Sequence, residues 1–331
     1  MNGRALVAAA VLAAAVGPAD TAAGQTAGQA TAGRTAWGDP DLQGVWNFQV
    51  DTPLNRPEEF EARVELTLEE AAAREQATAR TRYARDNRQA ATEAGPAGLE
   101  GAGGNYNRFW TDAKRTAQQT SLVVDPPDGR VPPLTPQAER WYADVERTRQ
   151  GVDMDAPTPG GFVEDLGPRG LFTRCILGFN SGPPMSPCCY NENVQIFQTP
   201  EHVVLLNEMV HSSRIVPLDG RPHLAPGIRQ WLGDSRGRWE DDTLVVTTTN
   251  FTDAVYDFGR MRAGGTGLTL IERFTRTAGD ALLYSFTIDD PGWYASPWTA
   301  QLPMAPTGAP LYEYACHEGN HSMTNILEGA R

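Results

Sequence analysis

The sequence predicts a mainly β protein, an antiparallel barrel or sandwich with two helices inserted in its N-terminal half. Three observations carry this. From Val194 onward short apolar-alternating runs recur at roughly ten-residue spacing with turn residues between them and no helical pattern. Two of the turns, at Asp241-Asp242 and Ala278-Gly279-Asp280, are hairpin signatures. The 33 glycines and 25 prolines supply the many turns that such a chain needs.

Taken in order, the fold begins near Trp37, and Leu42 to Phe48 alternates apolar and polar residues as a half-buried strand does. Thr67-Leu68-Glu69-Glu70 is a capping box, so a helix is predicted from there to about Ala90. Gly95 to Gly104 breaks the pattern, and the aromatic run Asn105 to Trp110 re-enters the core or lines a pocket. Thr120 to Asp125 reads as a strand closed by Pro126-Pro127-Asp128-Gly129, and a second helix starts at Thr135-Pro136 and runs to about Gln150. The later strands are Val194–Gln198, His202–Met209, Arg214–Leu218, Gly237–Glu240, Thr243–Thr249, Leu268–Arg276 and Ala281–Ile288. The domain reading is therefore a single β-rich unit over 37–331 with a helical insertion at about 55–160.

Residues 1–24 read as a signal peptide, with Arg4 as the basic region, an apolar run from Ala5 to Gly17 and small residues at Ala22-Ala23-Gly24. Residues 25–36 read as a flexible leader. The expected location is the periplasm or outside the cell, with no membrane insertion, because the apolar run is shorter than the roughly 20 residues a spanning helix needs. A net charge of -13 repels phosphate backbones, so no nucleic-acid partner is expected. The oligomeric state is left open. Cys175, Cys188, Cys189 and Cys316 point to disulfides in an oxidising compartment. Adjacent cysteines form a strained ring, so a long-range bridge from Cys316 to one of Cys175, Cys188 or Cys189 is predicted.

With the segments placed, the chain resembles a set of exported bacterial proteins without an assigned activity. The blocks that carry this are Pro40 to Trp46, Ser121 to Arg130, Pro217 to His223, Arg238-Trp239-Glu240 with Asp242 to Val246, and Tyr312 to Asn320. A second resemblance is to the lipocalins, through Gly44-Val45-Trp46 on a first strand followed by a late antiparallel meander. It implies a calycin-like barrel holding a small apolar molecule, although the long helical insertion departs from the lipocalin pattern.

Two constellations bear on chemistry. His317-Glu318-Gly319-Asn320-His321 has the H-E-x-x-H form in which a helix presents two His as zinc ligands and the Glu as general base. Gly319 and Asn320 are poor helix residues and no third ligand His follows, so no cofactor is predicted, and zinc on His317 and His321 is the alternative. The second set is Glu208, His211, Arg214, Asp219, Arg221, His223, Arg229, Asp234, Arg236, Arg238 and Glu240, with Trp231 and Trp239 among them. His beside carboxylates suits acid/base work near neutral pH, and Arg holds an anionic or carbonyl oxygen; the alternative is an ordinary charged hairpin surface.

The resulting expectation is an exported, small-molecule-binding barrel with acid/base chemistry of the isomerase, hydratase or lyase type on a partly apolar substrate. His211, Arg214, His223, His317 and Glu318 are the candidate catalytic residues, and Arg229, Trp231, Arg238, Trp239 and Tyr314 the candidate ligand contacts. A metal-dependent hydrolase and a non-catalytic envelope interaction module are the competing readings.

Overall fold

A computed structural model describes residues 33–60, 62–87, 114–149, 170–188, 190–252, 266–277, 280–318, 320–321, 324 and 328. The expected signal peptide, the first part of the expected leader, the 95–104 glycines, the 105–110 aromatics and Cys189 lie outside the described residues. Among the described residues no helix is long and apolar enough to cross a membrane.

The protein is mainly β, with a nearly closed antiparallel barrel-shaped sheet of ten strands. The strands are β1 (Gly44–Asn47), β2 (Val123–Asp125), β3 (Asn193–Gln198), β4 (His202–Asn207), β5 (Ser213–Pro217), β6 (Asp234–Glu240), β7 (Thr243–Thr249), β8 (Thr269–Arg276), β9 (Leu282–Asp289) and β10 (Trp298–Pro306). Two helices, α1 (Leu68–Asp86) and α2 (Pro136–Arg149), lie in the N-terminal half, and a single short turn of helix follows at Gly170–Thr173.

The sheet is two meanders joined by one strand. β3, β4 and β5 form a three-stranded arm and β6 to β10 a five-stranded one; β1 sits between β3 and β10, and β2 adds to β10 off this path. Nine strands linked by antiparallel pairings leave the two edge strands, β5 and β6, running in the same direction, so antiparallel hydrogen bonding cannot close the barrel. Side chains close it instead. A methyl group at Gly237 on β6 would come within 2.6 Å of Leu218 and 2.8 Å of Val216, so the two edges approach as closely as a bare backbone allows.

One strand escapes the sequence reading. β10 contains Pro303, and proline usually marks an edge, yet β10 lies inside the sheet. The pairings explain it. Gln301 N–H donates to Leu122 O, so the nitrogen of residue 303 faces the same side, where β2 has already ended and β1 pairs only with residues 305 and 306. No ladder donor is needed there.

The inward positions of the arms pack one core, with Trp46, Phe274, Tyr284, Phe286 and Trp298 as its large members. Burial of such side chains contributes roughly 2 to 3 kcal/mol each. At the end where β8 finishes, Arg276 lies over the Trp46 ring at 5.7 Å and donates to Asp41 O, while Gln198 holds both Pro40 O and the Leu42 N–H. The chain 40–46 thus straps one end of the barrel. Ahead of this strap, Thr35 is buried and Arg34 bridges to Pro40. α1 carries the expected box, with Glu70 N–H donating to Thr67 Oγ1 and Thr67 N–H to Glu70 Oε2. Trp141 and Tyr142 of α2 pack edge-on against Trp293, between β9 and β10.

Candidate functional site

The other end of the barrel is built around the turn from β4 to β5. Asn207 N–H donates to Ser212 O, and Glu208 N–H to Asn193 O, which docks the turn on β3. Inside it Val210 and His211 have φ of 49° and 42°. Left-handed backbone at a β-branched residue costs on the order of 1–3 kcal/mol and persists only where the surroundings impose it. Val210 is buried, which anchors the turn and leaves His211 exposed at its tip.

Glu208 brings the C-terminal segment to this turn. Its carboxylate is buried and accepts from Asn193 Nδ2 at 2.5 Å and from the Tyr312 backbone N–H at 3.1 Å. Four residues on, Cys316 is bonded to Cys175, resolving the three pairings open in the sequence. Cys188 is disulfide-bonded as well, and its partner lies outside the described residues. The bridge sets His317 beside His211, ring centroids 6.5 Å apart and planes at 53°. His317 and Glu318 are exposed in a turn, and helical backbone starts only at His321, so the two His of the H-E-x-x-H run do not share a helix face. Among the described residues no three His, Cys, Asp or Glu gather as a metal site.

Next to this turn, Arg214 of β5 does not share the exposed position of His211. It points into the barrel and pairs bidentately with Glu272 of β8, at 2.6 and 2.8 Å, both side chains almost fully buried. Tyr284 donates to Glu272 Oε1 at 2.8 Å and accepts from the Met185 N–H at 3.1 Å. Burial alone would lower the Arg214 pKa, but the charge and hydrogen bonds of Glu272 outweigh it and hold the guanidinium protonated. Burial and then the Glu272 charge push the Tyr284 phenol well above its ordinary value. Met185 belongs to the loop 177–188, which caps this end; Asn180, Ser181 and Ser186 in it are buried.

Glu272 and Tyr284 were not singled out from the sequence. The signal was present, since Glu272 is in phase with Leu270 and Phe274 on a strand whose alternate residues face the core.

The other expected residues fall elsewhere. His223 is half-buried, its Nδ1 3.1 Å from Asp234 Oδ2, and Asp234 also takes the Leu224 N–H and Arg236. This carboxylate fixes the connection between β5 and β6. Arg229 and Trp231 are exposed in that connection. Arg238 lies outside the barrel, joined with Arg273 on Glu240, and Trp239 packs half-buried against the core. Tyr314 is half-buried in the C-terminal segment, and Asp219 is held at a pKa of about 2 by Arg221 in an exposed pair. Of the candidate residues, the contacts join His211 to His317, place Arg214 on β5 just after that turn and facing inward, and engage His223 with Asp234.

No family model matches the chain, and no curated protein matches it.

Proposed function

We propose that this is an exported protein whose barrel holds a small, partly apolar molecule at the end formed by the β4–β5 turn, the 177–188 loop and the C-terminal segment. His211 and His317 then act on it as an acid/base pair, in an isomerisation, hydration or elimination. One observation carries the reading: a buried carboxylate and a disulfide are both spent on setting the exposed His317 against His211, over a turn held in strained backbone. Imidazole can both give and take a proton, which is the chemistry these three reactions need. The barrel itself is compatible with such a ligand, since antiparallel barrels enclose or cap small-molecule sites.

The test is native mass spectrometry of protein from its own host, followed by identification of any retained molecule. Retention in the natural protein and its loss in both His211→Ala and His317→Ala, at unchanged melting temperature, is expected. A bare mass from every preparation would sink this reading in favour of a non-catalytic interaction module.

A further inference from the structure

We infer that the inner end of this site takes an uncharged hydrogen-bonding head, a hydroxyl or a carboxamide, and rejects a carboxylate or an ammonium; this rests on the small-molecule reading above. The residues concerned are Ser181, Asn207 and Arg214, all more than nine-tenths buried. Ser181 Oγ, Asn207 Oδ1 and Arg214 Nε each lack a hydrogen-bond partner. Buried polar atoms are nearly always paired, so unpaired ones around a single turn call for a reason.

Two of them are neighbours, and the third lies near the same β4–β5 turn. Arg214 pairs in register with Leu205, and Asn207 is two residues further along β4, so both side chains face inward as diagonal neighbours. A methyl group at Gly178 would lie 2.6 Å from Ser181 Oγ and 2.4 Å from Met209 Cγ. Ser181 thus crowds Met209, two residues beyond Asn207.

The open valences specify the guest. Arg214 Nε offers a donor, Asn207 Oδ1 an acceptor and Ser181 Oγ either. Both terminal nitrogens of Arg214 are already spent on Glu272, which leaves the ion pair neutral as a unit. A carboxylate entering there would meet the carbonyl of Asn207 and the charge of Glu272, and an ammonium would meet the guanidinium. A carboxamide matches the set, its carbonyl accepting from Nε–H and its N–H donating to Asn207; a hydroxyl matches by donating to Asn207 and accepting from Nε–H. Met185, Leu205 and Met209 around it suit an apolar body.

Four probes with one body separate the cases: 2-phenylacetamide, 2-phenylethanol, phenylacetate and 2-phenylethylammonium, titrated calorimetrically into the full chain. The neutral pair should bind at least about tenfold tighter than the charged pair. Asn207→Asp should turn the preference toward the ammonium, and Ser181→Ala, which keeps the fold's charges, should weaken the neutral pair about tenfold. Melting curves show whether each variant folds. Equal or tighter binding of a charged probe, or neutral binding indifferent to both variants, overturns the head-group inference while His211-dependent binding leaves the function standing. If all four probes fail, the fragment masses of the molecule retained from the host decide, a charged head overturning the inference. A bare native mass together with four failed probes overturns both readings.

Discussion

The five-stranded and three-stranded arms of the sheet obey the same antiparallel geometry and differ in what they leave over. From β6 to β10 the ladders run without a break in register across β7, β8 and β9, and the inward positions are mostly Leu, Val, Phe, Tyr, Ile, Trp and Met, with Ser235 and Thr248 bonded to each other and Glu272 among them. Apart from Glu272, backbone hydrogen bonds and apolar burial account for most of this arm. The three-stranded arm turns inward with Asn207 and Arg214, bends through left-handed residues and buries Glu208 at its end. Its polar atoms take partners from other strands and from the C-terminal segment: Arg214 pairs with Glu272 of β8, and Glu208 with Tyr312 and with Asn193 at the start of β3. On the proposed function, this is the arm that would meet the ligand.

The sharpest way to break this contrast is to remove the tie between the arms. Arg214→Ala leaves the Glu272 charge buried and unpaired, and should cost about 3–5 kcal/mol in denaturant unfolding. Arg214→Met combined with Glu272→Leu should recover most of that loss. A double variant as unstable as the single one would mean that packing, not charge, holds the two arms together.

Cys316→Ser comes next, at about 2–4 kcal/mol, because it releases a closure spanning 141 residues. Hydrogen exchange should rise at Tyr312 and around Cys175 while β7, β8 and β9 stay protected. Uniform loss of protection would count against separate behaviour of the arms.

Tyr284→Phe removes one hydrogen bond to Glu272 and strands the Met185 N–H, for about 1–3 kcal/mol. It also has a pH signature. With its folded pKa raised above the ordinary value of 10.0, Tyr284 keeps its proton in the native state while the unfolded phenol has lost its own, so stability is full below pH 10 and falls as pH rises beyond it. The Phe variant should flatten that alkaline limb, and an unchanged limb would remove Tyr284 as its cause.

The smallest effect belongs to His317→Ala, within about 0.5 kcal/mol, since the ring is exposed and its neighbours are fixed through backbone and disulfide. A larger loss in melting temperature would give the His pair a structural role instead.

Much of the five-stranded arm was legible because period-two alternation and hairpin turns are local signals. The capping box at Thr67 and Glu70 was legible for the same reason. β10 was hidden by Pro303, whose acceptability depends on which neighbours stop short of it. The end-to-end contacts were only partly legible. Cys316 announced a tether without its partner, and the meeting of His211 with His317 follows from that tether. Arg214 was picked for its charge; that its side chain faces the core follows from its phase with Val216, while its pairing with Glu272 depends on a strand 58 residues away.

β1 has a consequence for how the protein assembles. This strand is made among the first, yet it is flanked by β3 and β10, partners supplied from the middle and the far end of the chain. Each meander can zip from its own hairpins at small entropic cost, whereas docking β1 closes loops spanning most of the sequence. Contact order therefore predicts that the strand bearing Trp46 is seated last, with the inner edges of the two meanders, β3 and β10, exposed to pairing with other chains until then.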